Sequence, residues 1–140
     1  MPGKSDYFEN AILNAVFRNG SFPTLGTSIY AALHTADPTD AGTGTEVSGG
    51  SYARVAIARN VTTNFAAPSD NAGAQRTSNS NTITFPAPTA NWGTVTHIGI
   101  WDASTAGNLL YSAALNTSRT INNGDGAPSF AAGALTIDES

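Results

Sequence analysis

Thr94-Val95-Thr96-His97-Ile98-Gly99-Ile100-Trp101 is the stretch whose reading decides the fold. Taken with a period of two, it sets Val95, His97, Gly99 and Trp101 on one side of a strand and Thr96, Ile98 and Ile100 on the other. Both sides carry apolar groups, so the strand belongs in the middle of a sandwich, or has one of its faces in an interface.

Working outward from it, Leu109 to Leu115, Arg119 to Ile121 and Ala134 to Ile137 read as further strands. They are separated by turn residues at Gly107-Asn108 and Asn122-Asn123-Gly124-Asp125-Gly126. On the amino-terminal side, Thr82 to Phe85 is a short β-run ended by Pro86 and Pro88. Tyr52 to Ala58 alternates, with Val55 and Ile57 opposite Arg54 and Ala56. Ser28 to His34 does the same, with Ile29, Ala31 and Leu33 opposite Ser28, Tyr30, Ala32 and His34. Asn60 to Asn81 is mostly Asn, Ser, Thr and Ala, in which Val61 and Phe65 are the residues suited to deep burial. One short strand is expected there, followed by a mobile loop over Ala67 to Ser80. Thr35 to Ser51, with Asp37-Pro38, Gly42, Gly44 and Gly49-Gly50, reads as a long exposed loop.

One helix is expected, over about Tyr7 to Arg18. Asp6 would cap its first turn, Glu9 would complete a capping box, and Gly20 would close it. Phe8, Ile12 and Val16 form a stripe that Leu13 and Phe17 widen beyond what a surface helix needs, so the helix packs into the body of the domain or into a partner. Seven or eight short strands after one N-terminal α-helix make the chain mainly β, an antiparallel β-sandwich or a jelly-roll-like barrel. At 140 residues one domain over residues 1–140 is expected, with an N-terminal arm and helix over 1–20.

The chain has no cysteine, which excludes disulfide staples, thiolate metal sites and cysteine nucleophiles. Charged residues make up only 11%, against roughly 25% in ordinary soluble domains. The net charge is −4, and the six basic residues, Lys4, Arg18, Arg54, Arg59, Arg76 and Arg119, are scattered. They form no stripe for phosphates, so nucleic acid is not an expected partner. No apolar run approaches the roughly 18 residues that span a bilayer, and Met1 to Glu9 lacks the apolar core of a secretory signal. Weak surface charge lowers the repulsion between copies and suits a life packed against neighbours.

No catalytic constellation stands out. His34 and His97 lie within strands and are expected to hydrogen-bond to neighbouring backbone or hydroxyls. Asp37, Asp40 and Glu46 share a Gly-rich loop without the spacing of an EF-hand. Asp37-Pro38-Thr39-Asp40 is more simply a turn in which the Asp37 carboxylate accepts local N–H groups. No serine sits in Gly-x-Ser-x-Gly. Asn60-Val61-Thr62 and Asn116-Thr117-Ser118 match the glycosylation pattern by chance. Neither a cofactor nor a metal is expected, and the chain is not expected to be an enzyme. Among the aromatic residues, Trp92, Trp101, Tyr52, Tyr30 and Phe22 are core residues first. Trp92, between Asn91 and Gly93, is the best placed for an interface or for stacking on a sugar.

Several stretches together resemble a known family. They are Phe8-Glu9-Asn10 through Phe17-Arg18-Asn19-Gly20, Tyr30-Ala31-Ala32-Leu33-His34-Thr35-Ala36-Asp37-Pro38, Gly42-Thr43-Gly44-Thr45-Glu46-Val47 through Tyr52-Ala53-Arg54, and Trp92 through Asp102. They look like small bacteriophage virion structural proteins, described either as capsid cement (decoration) proteins or as tail and tail-fibre proteins. The resemblance implies a virion part made in the host cytoplasm. The first expectation is a cement protein on the outer surface of the head, stabilising it as a trimer bound to the major capsid protein. The alternative is a tail or tail-fibre module that binds a host-surface glycan. Candidate interface residues are Phe8, Phe22, Glu46, Tyr52, Arg54 and Trp92, with the Met1 to Asp6 arm, the helix and the Thr35 to Ser51 loop free to reach neighbours.

Overall fold

A computed structural model describes residues 3–60 and 63–140. Strands β1 (Gly3–Lys4), β2 (Ser28–His34), β3 (Val55–Ala58), β7 (Gly93–Trp101) and β8 (Leu109–Ile121) form an antiparallel sheet in the order β1-β8-β7-β2-β3. Strands β4 (Ser69–Asn71), β5 (Ala74–Ser78) and β10 (Thr136–Glu139) form a second sheet, and β6 (Ile83–Thr84) pairs with β9 (Ser129–Phe130). The chain is mainly β, with antiparallel sheets and one helix, α1 (Asp6–Phe17), near its N-terminus.

The central position expected for Thr94–Trp101 is the one β7 takes, between β8 and β2. Its pairing sets Ile100 beside Ala31, Ile98 beside Leu33 and Gly99 beside Ala32. One face contributes Ala31, Leu33, Ile98, Ile100 and Leu110 to the main core. There they meet Phe8 from α1, Ile83 and Phe130 from the β6–β9 pair, and Phe85, Trp92 and Leu135. The opposite face carries Ala32, Trp101 and Leu109, with Tyr30 packed against them. Strict alternation would put Val95 on the second face, yet it lies in the main core. Val95 is parted from the rest of the β7–β8 pairing by a bulge between Val95 and His97, where Leu115, Asn116, Thr117 and Ser118 of β8 lie opposite Thr96 alone. The same bulge joins two expected strands, Leu109 to Leu115 and Arg119 to Ile121, into one.

Four other expectations change. The segment expected as a mobile loop, Ala67 to Ser80, contains the β4–β5 hairpin. Asn71 pairs with Ala74 across Ala72 and Gly73, both at positive φ (52° and 92°), the backbone of a tight two-residue hairpin turn. Its polar strands lack an apolar alternation because their stability comes from elsewhere. Arg76 grips Asp138 of β10 with two bonds of 2.6 and 2.7 Å. Next to them, buried Asn79 donates to the Asn81 and Ala131 carbonyls and accepts from Leu135 N–H.

The second change concerns the amino-terminal arm, which is not free over its described part. Gly3 and Lys4 pair with Ser112 and Tyr111 of β8. Lys4 also holds Glu139 at 2.7 Å, and that carboxylate accepts a short bond from the Tyr111 hydroxyl. Met1, Pro2, Val61 and Thr62 lie outside the described residues, and with them the expected burial of Val61.

Third, the helix begins one residue earlier than expected and is capped by Ser5, not Asp6. The Ser5 hydroxyl accepts from Phe8 N–H at 3.2 Å and donates to the Leu109 carbonyl, while its own N–H bonds to Leu110 at 2.9 Å. Asp6 and Glu9 lie in the first turn, where their charge suits the helix dipole. At the other end Asn19 takes a left-handed conformation (φ 54°), and Gly20 N–H returns to the Asn14 carbonyl at 2.9 Å.

Fourth, the Thr35 to Ser51 segment is not an open loop. Thr35 N–H bonds to the Thr45 carbonyl and Val47 N–H to that of Leu33, each at 2.9 Å, which brings the segment back along the end of β2.

Ser5 therefore serves the helix cap and the edge of the main sheet together. Ser5→Ala should destabilise the protein by about 1–2 kcal/mol, read as a lower urea midpoint at unchanged m-value.

Candidate functional site

Two of the candidate residues, Glu46 and Arg54, meet at the second face of the sheet, where Arg54 lies over Trp101. Residues 37–46 fold over it: a Cβ on Gly42 would stand 3.2 Å from Leu109 Cβ and 3.3 Å from the Trp101 ring. At Gly44 a Cβ would fall 2.1 Å from the Asp37 carbonyl oxygen, so only glycine permits the backbone to cross itself there. Asp37 Oδ1 accepts from Thr39 N–H at 2.9 Å, the local turn that its sequence context predicts.

Glu46, Tyr52 and Arg54 come together in one cluster. Arg54 makes a forked pair with Glu46, Nε to Oε1 and Nη2 to Oε2, both at 2.8 Å. Its Nη1 donates to the carbonyls of Ala103 and Ala106, each at 2.8 Å, which ties down the turn after β7. The guanidinium also lies 4.2 Å from the centroid of the Trp101 ring, a cation–π contact. The Tyr52 hydroxyl donates to Glu46 Oε1 and accepts from Leu33 N–H, both at 2.9 Å. The Arg54 side chain is only 6% exposed, so four of these partners are held by a cation almost removed from water.

This cluster sets the ionisation of its members. Burial works against the Glu46 carboxylate, but the hydrogen bonds from Arg54 and Tyr52 outweigh it and hold its pKa below the usual value. Burial, with Glu46 close by, pushes the Tyr52 hydroxyl well above its ordinary range. His34 is fully buried, and its ring stacks on Trp101 at 6.0 Å between centroids. The Trp101 indole N–H donates to His34 Nε2 at 3.4 Å, which leaves the proton of the neutral ring on Nδ1. Nδ1 has no hydrogen-bond partner, so the bond His34 makes is with the Trp101 indole and not with the neighbouring backbone or hydroxyls expected from the sequence. Burial lowers the His34 pKa, against the opposing pull of Glu46 and the Gly44 carbonyl. His97 behaves as expected, with Nδ1 2.8 Å from the Thr96 hydroxyl.

The remaining candidates divide between core and surface. Trp92 is 5% exposed, and its indole N–H donates to the Gly50 carbonyl at 2.9 Å. Its ring meets Tyr52 edge-on at 5.3 Å, and Tyr52 stacks on Phe85. Gly50 is needed for that approach, since a Cβ would stand 2.9 Å from the indole nitrogen. Phe8 is buried between Phe22 and Tyr111, at 5.8 and 5.4 Å. Of the six candidate interface residues, Phe22 alone is a large apolar side chain left at the surface. Glu46 is turned toward Arg54 and away from any shared use with Asp37 and Asp40. Among the described residues no group of three or more His, Cys, Asp or Glu side chains could hold a metal ion. Leu13, Val16 and Phe17 are exposed on α1, and the widened apolar stripe was the signal for them in the sequence.

A family model described as podophage GP4 fiber I protein gp80 matches residues 3–138. The chain belongs to this family. It is a bacteriophage virion structural protein, as its motifs imply, and the match takes in the β1 strand, the Arg54 cluster and the helix alike. No curated protein matches the chain. No helix among the described residues is long and apolar enough to cross a membrane.

Two measurements probe the cluster. Arg54→Ala strands Glu46 and two carbonyls and should cost about 3 kcal/mol, with Arg54→Lys recovering only part because an ammonium cannot fork; equilibrium urea unfolding reads both. Acid should act in two stages. The folded state disfavours the His34 proton, so stability falls as pH drops below the ordinary histidine value of 6.5. The folded state favours the Glu46 carboxylate, so a second loss begins below about 4.5. His34→Gln should flatten the first stage and leave the second, in urea midpoints measured from pH 8 to 3.

Proposed function

We propose that the protein is a structural subunit of a tail fibre. The observation that carries this reading is the family match, which runs over residues 3–138 and is described by a fibre protein. A fibre subunit has to keep its shape under load, and the fold suits that: the central strand is covered on both faces, and distant segments are pinned by ion pairs. The cement reading drew on the amino-terminal arm, the helix and the Thr35 to Ser51 segment as parts free to reach capsid subunits, and of these the helix keeps an exposed face. In this chain that segment is engaged by its own sheet, and β1 is paired with β8.

Within the fibre reading the protein works as part of the body and not by stacking a glycan on Trp92 or Tyr52. Both rings are packed among core aromatics, and their polar atoms are bonded internally. The Glu46–Tyr52–Arg54 cluster supports rigidity and needs no substrate. The partners are other chains of the fibre, and the role calls for no catalysis and no cofactor.

Gold-labelled antibody raised against the chain should decorate tail-attached fibres on intact virions in electron micrographs. Label spread over the head shell would overturn the fibre reading in favour of a cement protein.

A further inference from the structure

Between β8 of the main sheet and the segment that runs from β9 to β10 lies a cavity of about 380 Å³. It opens where β8 bulges. Leu115, Asn116, Thr117 and Ser118 have no pairing partner in β7 beyond Thr96, and a bulged strand bends away from its neighbour there. Buried Leu33, Val95 and Ile98 form the floor of the gap. Residues 113–121 of β8 make one wall, and residues 128–130 and 134–136 make the other. The floor is apolar, but the rim carries the polar side chains of Asn116, Thr117, Arg119 and Thr136.

Arg119 is the observation that points to a ligand. Lys4, Arg54 and Arg76 are held in ion pairs, and Arg59 donates to the carbonyls of Leu25 and Gly26. Among the described residues the Arg119 guanidinium has neither an ion pair nor a hydrogen bond, although the chain has ten acidic residues against six basic ones. Arg18 shares that state, but it caps the helix and lies outside this cavity. An exposed, unpaired cation thus stands at the mouth of an apolar space.

We infer that this cavity binds a small amphiphilic carboxylate, with its aliphatic chain on Leu33, Val95 and Ile98 and its head group on Arg119. Size sets the chain. The volume falls within the roughly 300–1,000 Å³ of small-molecule sites. At about 30 Å³ per heavy atom, the share of one molecule in liquid water, it holds about a dozen heavy atoms, those of a fatty acid of about ten carbons. Charge sets the head group. The planar fork of a guanidinium matches a carboxylate with two parallel bonds, and the Thr117 and Thr136 hydroxyls on the same rim can serve the remaining lone pairs. An inorganic anion would use the rim and leave the floor empty. A hydrocarbon would use the floor and leave the cation unanswered. Such a site goes beyond the structural role proposed above and does not depend on whether the chain serves a fibre or a head.

Titration of the isotope-labelled full chain with sodium decanoate, followed by two-dimensional amide NMR, tests it. Binding should saturate below about 1 mM, with the largest shifts at Ala113, Leu115, Phe130 and Leu135. Arg119→Gln should weaken binding by about tenfold or more, the loss expected when a hydrogen bond to a charged group is removed. Decanol, which has the chain without the charge, should bind the wild type more weakly by a similar factor. Arg119 is exposed, so the variant's amide spectrum away from the cavity should match the wild type, which separates lost binding from lost folding. No saturation up to about 1 mM, shifts gathered instead on the exposed apolar residues of α1, or equal affinity for decanol or in the variant would each overturn the inference.

Discussion

The constraint on which the rest of the structure depends is that β7 has apolar residues on both faces and must be covered twice. Its main-core face is covered by Phe8, the β6–β9 pair, Phe85, Trp92 and Leu135. The other face is covered by residues 37–46, which cross over Trp101 and Leu109. Ala32 of β2 and Gly99 of β7, side by side in the register, thin the sheet enough for that second layer to come close. A Cβ at Gly99 would stand 2.9 Å from both His34 Nε2 and Trp101 Nε1. The glycines of the Thr35 to Ser51 segment, which in sequence suggest freedom, serve close approach at Gly42, Gly44 and Gly50.

With so few charges in the chain, those that pair are used to hold distant segments. Lys4 and Glu139 join the two ends, Arg76 and Asp138 join the hairpin to the last strand, and Arg54 joins the turn after β7 to Glu46. The Arg54 pair differs from the other two in that its cation is drawn out of water, and that cation also donates to two carbonyls. Ion pairs at the surface contribute little; one that satisfies a forked guanidinium, a hydroxyl and two carbonyls resists separation because each partner left behind would be buried and unbonded. This rigid, inwardly bonded body leaves the outer face of α1 as the conspicuous apolar surface.

Much of the candidate set was legible as residues and not as roles. Glu46, Tyr52 and Arg54 were read as residues that reach outward, yet they point toward one another. Trp92 was read as a core residue first and as the aromatic best placed for an interface; it is in the core, and Gly50, 42 positions away, makes room for its ring and accepts its N–H. No local pattern carries that information. The helix is the converse case: the excess width of its apolar stripe was visible in the sequence and survives in the structure as exposed Leu13, Val16 and Phe17.

By itself the sequence determined that the chain is mainly β with one amino-terminal helix. It located β2 and β7 closely, and through its motifs it placed the protein among phage virion proteins. These follow from period-two and helical patterns and from short runs of residues, which are local properties. The tertiary structure decided the bulge in β8 and the place of Val95 in the main core, the choice of Ser5 over Asp6 as cap, the polar β4–β5 hairpin and the closing of the 37–46 segment over Trp101. They rest on partners far along the chain: Ser5 on Leu109, Gly42 on Trp101, Arg76 on Asp138. Which distant groups meet is fixed only when the sheets have formed around a common core.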